Sequence, residues 1–260
     1  MKDNFTIVTG FWDIKRNEWK NYNRYENYYY DSAWKMLSLN NNMIVFIDPE
    51  DVEFVKKHRS QFSEEQTTII PLSFSELPYH HLKNDIIEIM NSDEYKNGLV
   101  DPTVPEVCVP DYDVVIWSKI ALMKKAIELN PYGTTYWAWI DFGIGGHTHM
   151  FKPEYYHTKF LNGIIEKEKI RMLCRHLPEQ KDLIIEEFYK AHRNRLLCPL
   201  MTGSAESFLK FQDYVDEEIQ IAIAAKLVDC EQSFYAVVYL KHPELFDLFY
   251  GDYEHAVVNY

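Results

Sequence analysis

The chain has 260 residues, a formal net charge of −13 and 47% hydrophobic residues. This composition predicts one folded α/β domain over 1–260 and excludes a largely disordered chain. The negative charge argues against a nucleic-acid partner, because non-specific binding to phosphate backbones requires an excess of Lys and Arg.

The cysteines of the chain are scattered and form no CxxC pair, which is typical of reduced core thiols rather than of a disulfide framework or a zinc site. The sequence contains no apolar N-terminal signal region and no run of about 18 apolar residues. We therefore expect a soluble, cytoplasmic protein without a membrane span.

The N-terminal part of the chain alternates between strand and helix patterns. The apolar runs 5–11, 43–47 and 67–71 predict strands. The aromatic residues of 21–39 fall at helical spacing, and 49–59 begins with a proline followed by acids, so both segments predict helices. A β-α-β-α-β order implies parallel strands joined by right-handed crossovers.

The alternation continues to the C-terminus. A helix with a regular apolar face begins at Asp111, and a strand over 135–141 follows it. Further strands are predicted over 169–174 and 196–201, and further helices over 182–192, 205–227 and 229–240. Residues 241–260 are aromatic and acidic, and we expect them to fold back as a tail. The pattern predicts a mostly parallel central sheet flanked by helices.

Asp141 is the first candidate ligand group. It ends the aromatic, apolar strand over 135–141 and is followed by a loop with three glycines and two histidines. Ligands of open α/β sheets bind outside the carboxyl ends of the strands, which favours a functional Asp141. The alternative is an Asx-type turn after the strand.

Asp111-Tyr112-Asp113 has the Asp-x-Asp form used by many nucleotide-sugar transferases. Because it follows a proline and precedes a helix, we interpret Asp111 as the N-cap and Asp113 as an acid of the first turn. Neither a GxGxxG fingerprint nor a P-loop string occurs anywhere in the chain.

A hard divalent ion bound by carboxylate and imidazole would stabilise a departing diphosphate. Asp141 could supply the carboxylate, and His147, His149 or the distant His242 the imidazole. Asp141, His147 and His149 could instead form the metal cluster of a hydrolase. Each histidine could equally be an ordinary loop or core residue.

Polar residues in the predicted helices that begin at Asp111 and Asp229 could also contact a ligand. Lys119 could provide a cation to phosphates or remain a solvated lysine. Asp229 and Glu231 could accept a proton from an acceptor hydroxyl or hold sugar hydroxyls, although acids at a helix start also complement its dipole. Gln232 could add hydrogen bonds to a sugar.

Five segments together resemble the HtrL/YibB-like proteins, which are grouped with GT-A-type glycosyltransferases. The segments are 6–16, 117–120, 139–143, 203–204 and 229–233. The resemblance extends over most of the chain and implies a GT-A-like, Rossmann-like fold. It implies a nucleotide-binding part over about 1–145 and an acceptor-side part over about 146–260.

The resemblance also implies roles for individual residues. Thr9, Gly10 and Phe11 would line the nucleotide base, with Asp13 and Arg16 beside them. These five residues form the N-terminal part of the expected nucleotide-sugar site.

Lys119 would face the donor, and Asp141 would stand where GT-A enzymes keep their metal-binding acid. GT-A enzymes usually carry Asp-x-Asp there, whereas Gly143 would line the nucleotide sugar without a side-chain ligand. His242 resembles the C-terminal histidine that completes a Mn²⁺ or Mg²⁺ site.

The resemblance implies a glycosyltransferase of the hexosyltransferase kind, with Asp229 or Glu231 as the catalytic acid or base. We expect the donor to be a UDP-sugar, such as UDP-glucose, and the acceptor to be a glycan or another hydroxyl. The alternatives are the metal-dependent hydrolase and a non-catalytic carbohydrate-binding protein with a tyrosine-rich surface.

Overall fold

The computed structural model describes residues 5–147, 149, 151–160 and 168–260. Seven strands form one central sheet in the described residues. They are β1 (Phe5–Phe11), β2 (Asn42–Ile47), β3 (Thr67–Pro71), β4 (Tyr136–Ile140), β5 (Ile170–Cys174), β6 (Leu196–Ser204) and β7 (Phe246–Tyr250). Their spatial order is β3-β2-β1-β4-β6-β5-β7.

The sheet is mostly parallel. β1 pairs in parallel with β2 and β4, and β2 pairs in parallel with β3. β6 runs antiparallel between β4 and β5, and β7 pairs in parallel with β5. The predicted α/β fold with a mostly parallel central sheet is confirmed.

Helices cover both faces of this sheet. They are α1 (Tyr28–Leu37), α2 (Val52–Arg59), α3 (Lys83–Asn91), α4 (Asp93–Lys96), α5 (Pro105–Cys108), α6 (Pro110–Leu129), α7 (Ile185–Lys190), α8 (Ala205–Ala224) and α9 (Glu231–Lys241). None of these described helices combines the length and apolar composition that crossing a bilayer requires.

The central strand β4 is buried on both sides, which explains its uninterrupted apolar sequence. Trp137 and Trp139 belong to the apolar core that includes α6, α8 and α9. Ala138 and Ile140 belong to the opposite core, which includes α1. β4 therefore lies in the middle of the sheet. The residue that follows it lies at the edge formed by the carboxyl ends of the parallel strands.

Three local predictions require correction. The helix expected over 21–39 is shorter, because α1 begins only at Tyr28 and Tyr22 has a left-handed φ of 56°. The N-cap of α6 is Val109, so Asp111 lies in the first turn with Asp113 and forms an ion pair with Lys83. The tail over 241–260 contributes β7, the outermost strand beyond β5.

Candidate nucleotide site

A pocket of about 330 Å³ lies at the carboxyl ends of β1 and β4. The loop after β1, the loop after β4, α1 and α6 form its walls. Seven of the residues predicted to bind the nucleotide sugar line it together: Gly10, Phe11, Asp13, Arg16, Lys119, Asp141 and Gly143. The pocket occupies the edge where open α/β sheets bind ligands.

Asp141 and Lys119 meet at the base of this pocket. The Lys119 ammonium lies 3.0 Å from Asp141 Oδ1 and 2.8 Å from Glu231 Oε1. Trp139 Nε1 donates a second hydrogen bond of 2.8 Å to Asp141 Oδ1. The Asp141 side chain is 30% exposed. Its carboxylate is thus held in place through one oxygen while part of the group faces the pocket.

The charge of Lys119 is stabilised by its neighbours. Burial opposes the charged form, but Asp141, Cys198 and Glu231 together raise the pKa of Lys119 well above its ordinary value. A buried cation flanked by two carboxylates keeps its proton because each carboxylate favours the charged form. The role of a solvated surface lysine, which the sequence left open, is excluded.

Arg16 and Arg24 bring two guanidinium groups to the same pocket. Arg16 Nε donates to Tyr22 O at 2.9 Å, and Arg16 Nη1 donates to Tyr29 Oη at 3.0 Å. Arg24 lies 5.0 Å from the Tyr28 ring centroid, and its buried Nε has no hydrogen-bond partner among the described residues. Neither arginine forms an ion pair with a carboxylate in the part of the chain that the structure describes.

Aromatic rings line the pocket beside these charges. Phe11 stacks on Phe142 with ring centroids 5.0 Å apart, and Tyr29 lies 5.1 Å from Phe11. Tyr112 lies 5.8 Å from the Arg16 guanidinium, which fixes the arginine by a cation–π contact. The walls therefore offer flat apolar surfaces next to unpaired positive charge.

The glycine loop after Asp141 packs tightly on α1. A Cβ at Gly145 would overlap the Ser32 carbonyl oxygen, and one at Gly143 would lie 2.9 Å from the Tyr29 ring. Lys35 Nζ donates to Gly145 O at 2.9 Å. The glycines thus permit close packing of the loop against a helix, rather than serving only as flexible backbone.

Asp13 lies at the mouth of the pocket. Its carboxylate accepts hydrogen bonds from Lys15 N at 2.9 Å and Lys15 Nζ at 2.8 Å. Lys15 has a φ of 56°, so the chain turns sharply here. This turn directs the following Arg16 into the pocket.

Four of the predicted nucleotide-sugar-binding and catalytic residues lie outside the pocket lining. Thr9 is fully buried within β1, and Asp229 is fully buried with hydrogen bonds to His192, Ser233 and the Cys230 backbone. Glu231 is also buried, behind Lys119, and Gln232 does not line the pocket either. The start of α9 packs into the core, which removes Asp229 and Glu231 from direct reach of a pocket ligand.

His242 does not join Asp141. It lies just after α9, whose 11 residues begin at Glu231. A helix rises about 1.5 Å per residue, so His242 is roughly 16 Å from the end that carries Glu231. His242 instead stacks on Tyr214 with a centroid distance of 3.7 Å. The predicted metal pair of Asp141 and His242 is therefore not formed.

Comparison with known proteins places the chain in a family. The profile described as "Bacterial protein of unknown function (HtrL_YibB)" matches residues 3–258. The chain belongs to the HtrL/YibB family. It is 24% identical over 262 residues to Protein HtrL of Escherichia coli (strain K12), which covers 96% of this chain and 89% of that protein.

Two solved structures share a distant likeness with this HtrL/YibB protein. Apo mouse xyloside xylosyltransferase 1 has a TM-score of 0.44 and 10% identity, covering 95% of this chain and 84% of its own. The 4-diphosphocytidyl-2C-methyl-D-erythritol synthase of Anaerococcus prevotii DSM 20548 has a TM-score of 0.40 and 8% identity. The match covers 98% of this chain and 90% of that synthase.

The HtrL/YibB pocket can supply donors for a divalent ion. Asp141 and His147 both line it, and His147 contacts the Tyr253 ring at 5.1 Å. His149 lies 6.2 Å from the His147 ring, and the described residues form no three-ligand cluster around Asp141. One carboxylate oxygen and one imidazole fit Mg²⁺ or Mn²⁺ only when phosphate oxygens and water complete the coordination.

Several lining residues of this HtrL/YibB protein were missed by the sequence analysis. Arg24, Tyr28 and Tyr29 come from the tyrosine-rich segment over 21–39, which the helical spacing predicted to be a helix. Tyr253 comes from the C-terminal tail. For Arg24, Tyr28 and Tyr29 the signal in the sequence is an excess of Tyr near an arginine, a pattern that is also common on ordinary surfaces.

Proposed function

We propose that this HtrL/YibB protein is a glycosyltransferase that uses a nucleotide-sugar donor. The donor is a UDP-sugar, such as UDP-glucose, and the acceptor is a glycan or another hydroxyl compound. One observation carries the proposal: Arg16 and Arg24 enter the Asp141 pocket without a carboxylate partner among the described residues.

The unpaired arginines favour an anionic ligand. The chain carries a net charge of −13, so acidic partners for a surface arginine are abundant. Two guanidinium groups that nevertheless face a pocket without such a partner favour a ligand that brings its own negative charge. Guanidinium binds phosphate in a bidentate fork, and a nucleoside diphosphate offers several such oxygens.

The size and lining of the pocket suit the rest of a nucleotide. Pockets for small ligands span about 300–1,000 Å³ and combine apolar walls with few polar groups. The observed volume of about 330 Å³ falls at the lower end of that range. Phe11 and Gly10 lie at the wall proposed for the base. Lining residues fall within 10–147 except Tyr253, which supports a nucleotide-binding part over about 1–145.

In the proposed reaction, the bond between the anomeric carbon and the diphosphate oxygen breaks and a bond to the acceptor oxygen forms. Arg16, Arg24 and Lys119 would stabilise the negative charge that develops on the departing diphosphate. A Mn²⁺ or Mg²⁺ ion held by Asp141 and His147 would add to this stabilisation as a Lewis acid. The acceptor proton would pass to a base on the acceptor side, over about 146–260.

A thermal-shift panel of UDP, GDP and CMP, each with and without Mn²⁺, tests the proposal. We expect UDP to raise the melting temperature and Mn²⁺ to increase that effect. Indifference to every nucleotide would contradict the proposal. Metal binding without nucleotide that is lost in His147→Ala would favour the hydrolase, and sugar binding that survives Asp141→Ala would favour a carbohydrate-binding protein.

A further inference from the structure

A second cluster of titratable side chains lies outside the pocket lining, where the turn after α7 meets the start of α9. His192 Nδ1 lies 3.0 Å from Asp229 Oδ1. Asp229 is 0% exposed and the neighbouring Cys230 is 2% exposed. One potential ligand atom from each of the three residues lies within 4.8 Å of the other two.

Two further acids interact with this cluster and have buried carboxylate oxygens without a hydrogen bond to the described residues. Asp113 is 0% exposed, and neither of its carboxylate oxygens has a partner among the described residues. Glu106 Oε2 is also buried without a hydrogen bond and lies 3.8 Å from His192 Nε2. A buried carboxylate without partners is costly, so this arrangement calls for a compensating group.

The acids act on one another electrostatically. Burial, followed by the charges of Glu106, Asp229 and Glu231, raises the pKa of Asp113 well above its ordinary value. Burial likewise raises the pKa of Glu106, with His192 opposing the shift.

We propose that His192, Asp229 and Cys230 bind one transition-metal ion of the zinc class, with Glu106 and Asp113 supplying the remaining ligand and charge. Imidazole nitrogen, thiolate sulfur and carboxylate oxygen are the donors of tetrahedral zinc sites. His192 Nδ1 and Asp229 Oδ1, 3.0 Å apart, are already close enough to be ligands of one ion. This inference does not rest on the proposed transferase function.

The cluster also borders a groove separate from the Asp141 pocket. His192 lines this surface groove with Arg175, Arg193 and Arg195. The lining of this groove shares no residue with that of the nucleotide pocket. Once bound, an ion would fix the turn after α7 to the first residues of α9, the helix whose Glu231 holds Lys119.

Titration of the chelator-treated full chain with Co²⁺ alone tests the site. We expect thiolate-to-cobalt charge-transfer absorption and tetrahedral ligand-field bands that saturate at one equivalent. Cys230→Ser should lose the charge-transfer band. Cys198→Ser should keep it, because Cys198 is equally buried but lies on β6 beside Glu231. Asp113→Asn should weaken Co²⁺ binding about tenfold or more.

Absence of the charge-transfer band from the wild type, or its persistence in Cys230→Ser, would overturn the proposal. A variant that fails to fold does not remove the test, because X-ray absorption of the zinc-loaded wild type reports the ligands directly. We expect one sulfur in the coordination shell, together with nitrogen or oxygen. A shell without sulfur would contradict the assignment.

Discussion

Lys119 forms an ion pair of 3.0 Å with Asp141, the carboxylate at the end of the central strand. The same ammonium lies 2.8 Å from Glu231, so one buried cation serves two acids from different parts of the chain. This arrangement gives Lys119 a structural role at the base of the pocket, in addition to the role proposed for it towards the diphosphate. It leaves Arg16 and Arg24 as the positive groups without a described acidic partner.

Replacing Lys119 by methionine should destabilise the fold strongly. The change leaves Glu231 and part of Asp141 without their cation, and breaking a buried ion pair costs about 3–5 kcal/mol. Urea unfolding should show the loss as a lower midpoint. Lys124→Met removes an exposed pair with Asp213 and should cost less than about 1 kcal/mol.

A second replacement tests whether the uncompensated charge of Glu231 causes the loss of stability. Lys119→Met combined with Glu231→Gln should recover part of the lost stability, because the buried residue at 231 is then no longer charged. Equal unfolding midpoints for Lys119→Met and Lys124→Met would show that the buried pair does not stabilise the fold.

Asp141→Asn should separate function from folding. Lys119 retains its ion pair with Glu231 in this variant. The free energy of unfolding, measured in urea, should therefore change by no more than about 1–2 kcal/mol. Release of UDP from UDP-sugars should fall at least about 100-fold if Asp141 holds the ion that stabilises the leaving group. Unchanged turnover in a folded Asp141→Asn protein would rule out a role for this carboxylate.

Gly145→Ala should disturb the loop after Asp141. The added methyl group would meet the Ser32 carbonyl of α1, which is backbone and cannot turn away. Overpacking of this kind costs typically about 1–3 kcal/mol, and we expect UDP affinity to fall as well. Gly98→Ala is the control, because its new methyl group meets only the flexible end of Lys190. Equal effects of the two changes would contradict the proposed packing role.

Thiol labelling tests the burial of the cysteines. Cys108 is exposed, whereas Cys174, Cys198 and Cys230 are buried. Alkylation of the native chain should therefore modify Cys108 and spare the others, while alkylation in urea should modify all of them. Mass spectrometry of proteolytic fragments measures the modification. Rapid native labelling of Cys230 would contradict both its burial and the proposed metal site.

Most of the sheet could be predicted from local patterns. Apolar runs of strand length and the amphipathic spacing of α6 and α8 follow from residues close together in sequence. The direction of β6 could not be predicted, because a strand buried on both faces has the same apolar pattern in either direction. The short mixed pattern of β7 likewise depends on its pairing with β5.

The pocket was only partly predictable for a similar reason. Asp141 directly follows β4, and Arg16 lies in the loop after β1, so their positions result from local order. Lys119 and Glu231 are separated by 112 residues, and their ion pair exists only after α6 and α9 pack. His242 was assigned from its position in the chain, but the length of α9 carries it away from Asp141.

Calorimetric titration with uridine, UMP and UDP tests the central claim most directly. We predict that UDP binds the wild type at least about tenfold more tightly than uridine, because charged hydrogen bonds contribute about 1.5–3 kcal/mol each. Arg16→Gln combined with Arg24→Gln should abolish that difference, whereas Arg175→Gln, outside the pocket, should preserve it. Equal wild-type affinities for uridine and UDP, or a double variant that still prefers UDP, would contradict the account.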